Sequence, residues 1–304
     1  MPRLAYLGPA GTFTHRAALD LAHAGEELLP LDRAEEVIAT LADGRADSAV
    51  VAFENSLDGP VAANVDLLIA TGEDVVITAE RVLEIAFTLW RLPGDETPLR
   101  GVASHAVGLA QCGRFIREHG LETRAASSNA VACREVAEAA QPGWGALAGA
   151  DAGEQFGLVA AAHGLRDDER AATRFLRLGR RSPAPTGRDR SMFVLDPASD
   201  RPGSLAGFLQ EFAARGINLT AIKSRPTKEL LGEYVFLVEA QGHLREPQMR
   251  DAARALLRAS VGVRFLGSYP EDAGRPRPAP AVDPDAIGSR LDEMLARTDE
   301  QAAS

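Results

Sequence analysis

Small polar side chains recur where a predicted strand is followed by a predicted helix in the first half of the chain. The four junctions carry Thr12 and Thr14, Asn55 and Ser56, Ser104 and His105, and Ser128 and Asn129. In a parallel α/β sheet such junctions open at the carboxyl ends of the strands, where ligands bind. Each also presents unpaired backbone N–H groups and the positive end of a helix dipole. Several such ends around one cleft favour a small polyanionic ligand, such as a dicarboxylate.

Helix capping gives the same residue types a simpler explanation. Ser, Thr and Asn are preferred N-caps, each worth about 1 kcal/mol, and every helix needs one. At any single junction capping is the more common reason, and four junctions together favour a ligand only modestly. The glycine-containing segment GPAGTF (8–13) is not a nucleotide fingerprint, because it has neither the GxGxxG spacing nor a GK[ST] ending.

The segment ATRFLRLG (172–179) is a further candidate for a ligand-binding site. Arg174 carries a permanently charged fork of donors that suits a carboxylate, and Phe175 offers a flat apolar face. In a strand, Thr173 and Phe175 point to one side of the sheet and Arg174 to the other. The alternative is a strand whose surface arginines, Arg174 and Arg177, alternate with core residues. The pattern alone favours that alternative.

The elements that would position these residues form two kinds of domain. Strands alternate with helices from Arg3 to Gly149, which predicts an α/β protein with a mostly parallel sheet in two lobes. Two prolines and a glycine mark 182–189 as part of a linker. The order β-α-β-β-α-β over 190–270 predicts a ferredoxin-like unit of about 80 residues. Beyond it, 271–304 reads as a proline-rich tail and an amphipathic helix.

Composition limits the class of protein. The chain has 304 residues, enough for two globular units at roughly 150 residues each. Its net charge of −10 argues against a nucleic-acid groove or a membrane-surface protein. Cys112 and Cys133 are too few for a disulfide framework and lack metal-ligand spacing. With no signal-peptide pattern and no long apolar run, we expect a soluble, cytoplasmic protein without a metal or cofactor.

In these motifs the chain resembles the prephenate dehydratase family. The motifs GPAGTFTHRA (8–17), ENSLDGPV (54–61), Ser104-His105, Ser128-Asn129-Ala130 and TRF (173–175) resemble that family's motifs in order and spacing. The segments 216–228 and 232–243 are similar to its regulatory ACT domain. The resemblance covers about residues 3–270, and its layout is most like the monofunctional bacterial enzymes.

The resemblance implies an activity, a fold and a set of site residues. The activity is that of a carbon–oxygen hydro-lyase: prephenate loses carbon dioxide and hydroxide to give phenylpyruvate, the penultimate step of phenylalanine synthesis. No cofactor is implied, because the aromatic product is itself the electron sink. Thr173 corresponds to the family's hydroxyl donor, Arg174 to a carboxylate partner and Phe175 to a ring-packing residue. The remaining implied cleft residues are Thr12, Phe13, Asn55, Ser56, Ser104, Ser128 and Asn129.

The implied fold is a two-lobed catalytic domain like a periplasmic binding protein, with a cleft between the lobes, followed by the ACT domain. The catalytic domain would span 1–181, with lobe one at about 1–78 plus 160–181 and lobe two at about 79–159. The ACT domain, 190–270, implies allosteric control by phenylalanine and a homodimer or homotetramer formed through ACT domains. Its implied effector site comprises Gly203, Ser204, Leu205, Ser224, Arg225 and Pro226. Lys223 stands where the family usually has glutamate, which reverses a charge beside that site.

Three other functions remain open on the sequence. The first is arogenate dehydratase, whose substrate carries an amine where prephenate carries a ketone. A non-aromatising prephenate decarboxylase would keep the hydroxyl, so the presence of Thr173 speaks against it. The third alternative belongs to another class, a catalytically silent amino-acid sensor, because both a two-lobed cleft and an ACT domain bind small ligands.

Overall fold

The computed structural model describes residues 1–197, 202–227, 233–259 and 262–272. The predicted tail and C-terminal helix fall largely within 273–304, outside the described residues. Up to Gly179 the strands are β1 (Arg3–Leu7), β2 (Glu27–Leu31), β3 (Ser48–Asn55), β4 (Gly59–Pro60), β5 (Val76–Glu84), β6 (Phe87–Arg91), β7 (Gly101–His105), β8 (Glu122–Ala126), β9 (Trp144–Ala148), β10 (Val159–Leu165) and β11 (Ala172–Gly179). The helices of this part are α1 (Phe13–Leu21), α2 (Ala34–Ala42), α3 (Ala62–Ala70), α4 (Ala106–Gln111), α5 (Gly113–Glu118) and α6 (Asn129–Ala139).

The first sheet has the strand order β2-β1-β3-β11-β5, with β4 beside β3. β1 runs parallel to β2 and β3, whereas β11 runs antiparallel to β3 and β5. One face, here called the front face, packs on α1 through a cluster that contains Tyr6, Val50 and Phe175. The opposite rear face packs on α2 and α3. The alternation of apolar residues along β3 therefore supplies both cores at once, as expected for a strand buried on both sides.

The second sheet has the order β10-β6-β9-β7-β8 and carries α4, α5 and α6. Trp90 is the largest side chain of its core, and its Nε1 donates to the Gly149 carbonyl oxygen at 3.0 Å. Cys112 and Cys133 are both buried and unbridged. Burial raises the pKa of each thiol to about 12, so both stay protonated and act as small core residues.

The chain crosses between the two sheets twice, and this corrects the predicted lobe boundaries. β5 extends the first sheet to Glu84, beyond the expected limit near 78, and β10 lies in the second sheet instead of lobe one. The two crossing segments lie side by side, since the Ile85 N–H donates to the Ala171 carbonyl oxygen at 2.8 Å. The extended stretch through 75–90 predicts two strands or one bent strand, but it does not show at which residue the chain changes sheet.

The C-terminal sheet follows the predicted β-α-β-β-α-β order. Its elements are β12 (Asp189–Asp196), α7 (Ser204–Ala213), β13 (Leu219–Pro226), β14 (Tyr234–Gln241), α8 (Pro247–Ala259) and β15 (Gly262–Pro270). The strand order is β13-β14-β12-β15, and all neighbours are antiparallel. Phe208 and Phe212 of α7 and Leu256 of α8 cover one face of this sheet. The fold class predicted from the sequence is thus confirmed.

The other face of the C-terminal sheet packs directly on the rear face of the first sheet. One apolar cluster contains Phe53 and Ile77 from the first sheet together with Leu237 and Tyr269 from the C-terminal sheet. Gly267, at φ +127°, marks the closest approach, because a side chain there would collide with the Ile77 backbone. No helix in the described part of the chain is long and apolar enough to cross a membrane.

Candidate active site

The ends of β3 and β11 bring two of the predicted site residues together. The antiparallel register places Thr173 opposite Asn55 and Arg174 opposite Glu54. Asn55 Nδ2 donates to Thr173 Oγ1 at 3.2 Å, and Asn55 Oδ1 accepts from the Leu57 N–H at 2.8 Å. The turn after β3 therefore orients the amide of Asn55. This hydrogen bond occupies a lone pair of the Thr173 oxygen and leaves the hydroxyl proton to be donated elsewhere.

A β-bulge explains why Asn55 and Thr173 share a face. Phe175 pairs with Ala52 while Arg174 pairs with Glu54, so Phe53 is an extra residue in β3. Ala52 packs on the front face and Phe53 on the rear face. The extra residue lets Glu54 follow Phe53 to the rear, and the alternation then returns Asn55 to the front. Thr173 lies on the front face because it is two residues from Phe175.

A cleft of about 580 Å³ lies between elements of the two lobes. The first lobe contributes the loop before α1 and its first turn, and the second lobe contributes the starts of α4 and α6. The lining residues are Leu7, Gly8, Pro9, Thr12, Phe13, Thr14, Asp32, His105, Ser127, Ser128, Asn129, Val131 and Arg134. The predicted cleft residues Thr12, Phe13, Ser128 and Asn129 are therefore brought together.

The residues that cap α1 and α6 also line the cleft. The Thr12 hydroxyl oxygen accepts from the His15 N–H, and the Ser128 hydroxyl oxygen accepts from the Val131 N–H, each at 3.1 Å. These side chains hold the first turns of α1 and α6 in place, and residues of both turns line the cleft. Two helix N-termini at one cavity form a favourable environment for an anion.

Comparison with known proteins decides the family. The family model described as prephenate dehydratase matches residues 4–183, and the ACT domain model matches residues 198–258. The first match covers more than half of the chain, including every element that surrounds the cleft. The chain belongs to the prephenate dehydratase family.

Individual relatives agree over nearly the whole length. A prephenate dehydratase of Mycobacterium tuberculosis is 36% identical over 323 aligned positions, which cover 100% of this chain and 99% of the relative. The crystal structure of a prephenate dehydratase from Arthrobacter aurescens in complex with L-Phe is 34% identical, with a TM-score of 0.82 and coverage of 97% and 99%. The structure of GqqA, described as a novel type of quorum quenching acylase, is 29% identical, with a TM-score of 0.79 and coverage of 90% and 100%. The resemblance inferred from the motifs is confirmed.

Arg174 does not face the cleft, and its expected role as a carboxylate partner is wrong. The side chain is only 4% exposed. Its Nε donates to Glu80 Oε2 at 2.6 Å, and its Nη2 donates to Glu239 Oε2 at 2.5 Å. Strand alternation sends the guanidinium to the rear face, where two carboxylates neutralise it. A substrate carboxylate on the front face cannot reach it.

Three further predicted residues have structural surroundings instead of cleft positions. Phe175 is 1% exposed within the front core, so it cannot stack on a ligand. Ser104 is fully buried, and its hydroxyl donates to the Leu147 carbonyl oxygen at 2.7 Å and to Asn129 Oδ1 at 3.2 Å. Ser56 joins the turn after β3 to the segment before β11, since its Oγ donates to the Arg170 carbonyl oxygen and accepts from the Ala172 N–H. Each residue supports a neighbour that does line the site or carry Thr173.

Arg134 is the cleft residue that the sequence analysis missed. Among the described residues that line the cleft, it brings the guanidinium. Its side chain is about half exposed, and its nearest acidic neighbour, Glu138, lies 3.9 Å away on the same helix. Val131 and Arg134 are three residues apart and so share the face of α6 that Ser128 begins. Helical periodicity counted from the predicted cap would have revealed this position.

The Asn55–Thr173 pair is not among the residues that line the cleft, and Phe13 connects the two regions. Phe13 lines the cleft and packs against the same apolar clusters as Leu83, the β5 residue paired with Thr173. Its ring also meets Phe87 edge-on at 5.5 Å between centroids. The pair thus lies where β11 returns from the second lobe, beside the apolar cluster to which Phe13 of the cleft belongs.

The implied effector residues lie at one end of the C-terminal sheet, with one exception. β12 and β13 are both antiparallel to β14 and therefore run in the same direction. Because α7 follows β12, its start lies at the same end of the sheet as the end of β13. Gly203 begins α7 at φ +90° without a side-chain cap, and Ser224 and Pro226 are exposed. Arg225 instead points to the first lobe, where its Nη2 lies 2.6 Å from Asp66 Oδ1 of α3. Its expected contact with an effector is therefore not supported.

Proposed function

We propose that this chain catalyses the decarboxylating dehydration of prephenate to phenylpyruvate, carbon dioxide and water. The observation that carries the proposal is the Asn55–Thr173 hydrogen bond on the front face, within a chain whose family is established. The C–COO⁻ bond breaks, its electron pair moves through the ring, and the ring hydroxyl leaves as hydroxide. Thr173 donates its proton toward that oxygen, so that water leaves, and Thr173 Oγ1 regains a proton from solvent. Until then the Asn55 N–H stabilises the charge that develops on Thr173 Oγ1.

The cleft supplies what a dianionic substrate requires. The N-termini of α1 and α6 and the guanidinium of Arg134 attract its two carboxylates. The Phe13 ring offers an apolar surface for the cyclohexadiene. Since the product gains aromatic stability, the residues need only bind, orient and donate one hydrogen bond, and we propose that no cofactor takes part.

Turnover assays separate the proposed reaction from its alternatives. Pure protein is incubated with prephenate, and both phenylpyruvate and carbon dioxide are followed; arogenate serves as a second substrate. Carbon dioxide without an aromatic product would identify a non-aromatising decarboxylase. The absence of turnover with either substrate would favour the amino-acid sensor. Because the acylase relative shares the fold, the substrate has to be measured and not taken from the architecture.

Thr173→Ala tests the catalytic assignment, with Thr173→Ser as the matched control. The alanine variant should lose about 10²–10⁴-fold in kcat, since it removes the donor. The serine variant keeps the hydroxyl and should retain most activity. A loss below roughly tenfold in the alanine variant would remove Thr173 from the proposed role.

We also propose that phenylalanine binds the ACT domain and regulates the enzyme. The match of residues 198–258 to the ACT domain and the L-Phe bound by the Arthrobacter relative support this. Titration with phenylalanine should change both turnover and thermal stability, and an effect on neither would exclude this regulation.

The proposed domains are a catalytic unit at 1–181, a linker at 182–189 and the ACT domain at 190–270. A cytoplasmic location is expected for an enzyme of amino-acid synthesis.

The edge of the C-terminal sheet supports the proposed homo-oligomer. β13 is an edge strand, and its Ile222 is 44% exposed. Tyr234, which pairs with Pro226 at the end of β13, is 49% exposed. An edge with unpaired backbone groups and apolar side chains favours pairing with a second copy. Light scattering should give a dimer or tetramer, and Ile222→Lys should shift it toward the monomer.

A further inference from the structure

A lysine of the C-terminal sheet reaches directly to the strand that carries Asn55. Lys223 Nζ donates to Glu54 Oε1 at 2.7 Å, and the lysine side chain is only 10% exposed. The ammonium group also lies 4.8 Å from the centroid of the Phe53 ring. Lys223 therefore contacts both residues of the bulge in β3. Glutamate at position 223 would instead place two carboxylates together.

Glu54 and Asn55 are neighbours that face opposite sides of one strand. Glu54 points to the rear, toward Lys223, and Asn55 points to the front, toward Thr173. Without the bulge, the alternation of β3 would exchange these two directions. The position of Asn55 thus depends on Glu54 staying at the rear.

The partner strand is held from behind in the same way. Arg174 lies opposite Glu54 in the register, and its Nη2 donates to Glu239 Oε2 and, at 3.1 Å, to the Tyr269 hydroxyl. Glu239 and Tyr269 belong to the C-terminal sheet. Both strand ends that form the Asn55–Thr173 hydrogen bond are therefore fixed on their rear side by residues of the ACT domain.

We propose that Lys223 is a positioning residue for the Asn55–Thr173 pair, which it controls by holding Glu54 across the domain interface. The proposal rests on the proposed function of that pair. Lys223 directly precedes Ser224 at the effector end of β13. A displacement of that end of the strand is therefore transmitted to the proposed catalytic pair through the Lys223–Glu54 ion pair.

The first test compares two interface variants. Lys223→Gln should lower kcat roughly tenfold with little change in KM, because a small misplacement of a donor slows the chemical step. Lys223→Arg should retain most activity. Arg264→Gln is the matched control: Arg264 donates from the same sheet to the carbonyl oxygens of Leu68 and Thr71 at the end of α3, whereas Lys223 donates to β3. It should lower the melting temperature but leave kcat near the wild-type value.

A charge exchange and a measurement independent of activity complete the test. Lys223→Glu should be more impaired than Lys223→Gln, and adding Glu54→Lys to it should restore activity. In Lys223→Gln, the amides of Leu57 and Asp58, which bind Asn55 Oδ1, should exchange hydrogen faster.

Two results would overturn the proposal. One is a kcat in Lys223→Gln that falls only as far as in Arg264→Gln at equal loss of stability. The other is unchanged exchange at Leu57 and Asp58. If the unmodified protein does not convert prephenate, the proposed function fails, whereas the exchange result still decides the positioning role.

Discussion

The front and rear faces of β3 and β11 use polar residues in opposite ways. At the strand ends the front face presents short, uncharged groups, the Asn55 amide and the Thr173 hydroxyl. Further along β11, Arg177 forms a buried ion pair with Glu26. The rear face presents formal charges, and each cation there meets a carboxylate. Two arginines and three glutamates, each less than a tenth exposed, form this cluster with Tyr269: Arg174, Arg190, Glu80, Glu239 and Glu271. Full charges join the domains, while the proposed catalytic pair consists of a hydroxyl and an amide.

This difference teaches how an arginine beside a catalytic residue should be interpreted. A guanidinium next to Thr173 in the sequence looks like a substrate ligand, but strand geometry places it on the far side of the sheet. In the proposed reaction, the substrate's charge is left to the helix N-termini and to Arg134 of the second lobe. Changes on the two faces should therefore appear in different measurements.

The largest effect is expected from Arg174→Met. The variant leaves Glu80 and Glu239 with less compensation in a buried site, which should lower the free energy of unfolding by about 3–5 kcal/mol. Urea unfolding measures this, with Arg254→Met as control, because that arginine forms an exposed pair with Asp251 and should change stability by about 0–1 kcal/mol. A raised KM with an unchanged free energy of unfolding would instead indicate that Arg174 binds the substrate.

Acid should weaken the charged cluster on the rear face. Burial tends to raise the pKa of Glu239, but the charges of Arg174 and Arg190 outweigh it and hold that pKa at about 2. Because the folded-state pKa is depressed, Glu239 stabilises the fold above its unfolded pKa near 4.5 and loses this contribution as the pH falls toward 2. Unfolding free energies from about pH 7 to about pH 3 should show wild type and Glu239→Gln converging. A constant difference between them would contradict this.

A smaller effect, confined to the front face, is expected for Arg134→Gln. Losing a charged partner for a carboxylate should raise KM for prephenate roughly tenfold, about 1.4 kcal/mol, with little change in melting temperature. Arg117→Gln is the control, since Arg117 is an exposed arginine on α5 of the same lobe. Equal KM values in the two variants would exclude Arg134 from substrate binding.

The sequence contained most of the fold because the periods of its elements are local. Alternation predicted the βαββαβ unit, and the caps Thr12 and Ser128 were predicted at the helix starts where they lie. Alternation also placed Thr173 and Arg174 on opposite faces correctly. What it did not contain was the partner of Arg174, because Glu239 lies 65 residues further along the chain.

The bulge at Phe53 was equally hidden. A bulge is defined by the register of two strands, and β3 and β11 are separated by the whole second lobe. The motif that contains Glu54 and Asn55 therefore indicated a site without indicating that its two residues face opposite ways. The sheet boundaries at β5 and β10 were missed for a related reason, since a change of sheet leaves the extended conformation unaltered.

The apolar cluster that Phe53 and Ile77 share with Leu237 and Tyr269 limits how the chain can be divided. A protein ended at the linker would expose the rear face of its first sheet, including the bulge, to water, and such patches promote association. Exchange of the regulatory half for that of another enzyme would therefore require a matching surface, with a cation at the position of Lys223. Catalytic and sensing halves can evolve or be engineered only as a fitted pair.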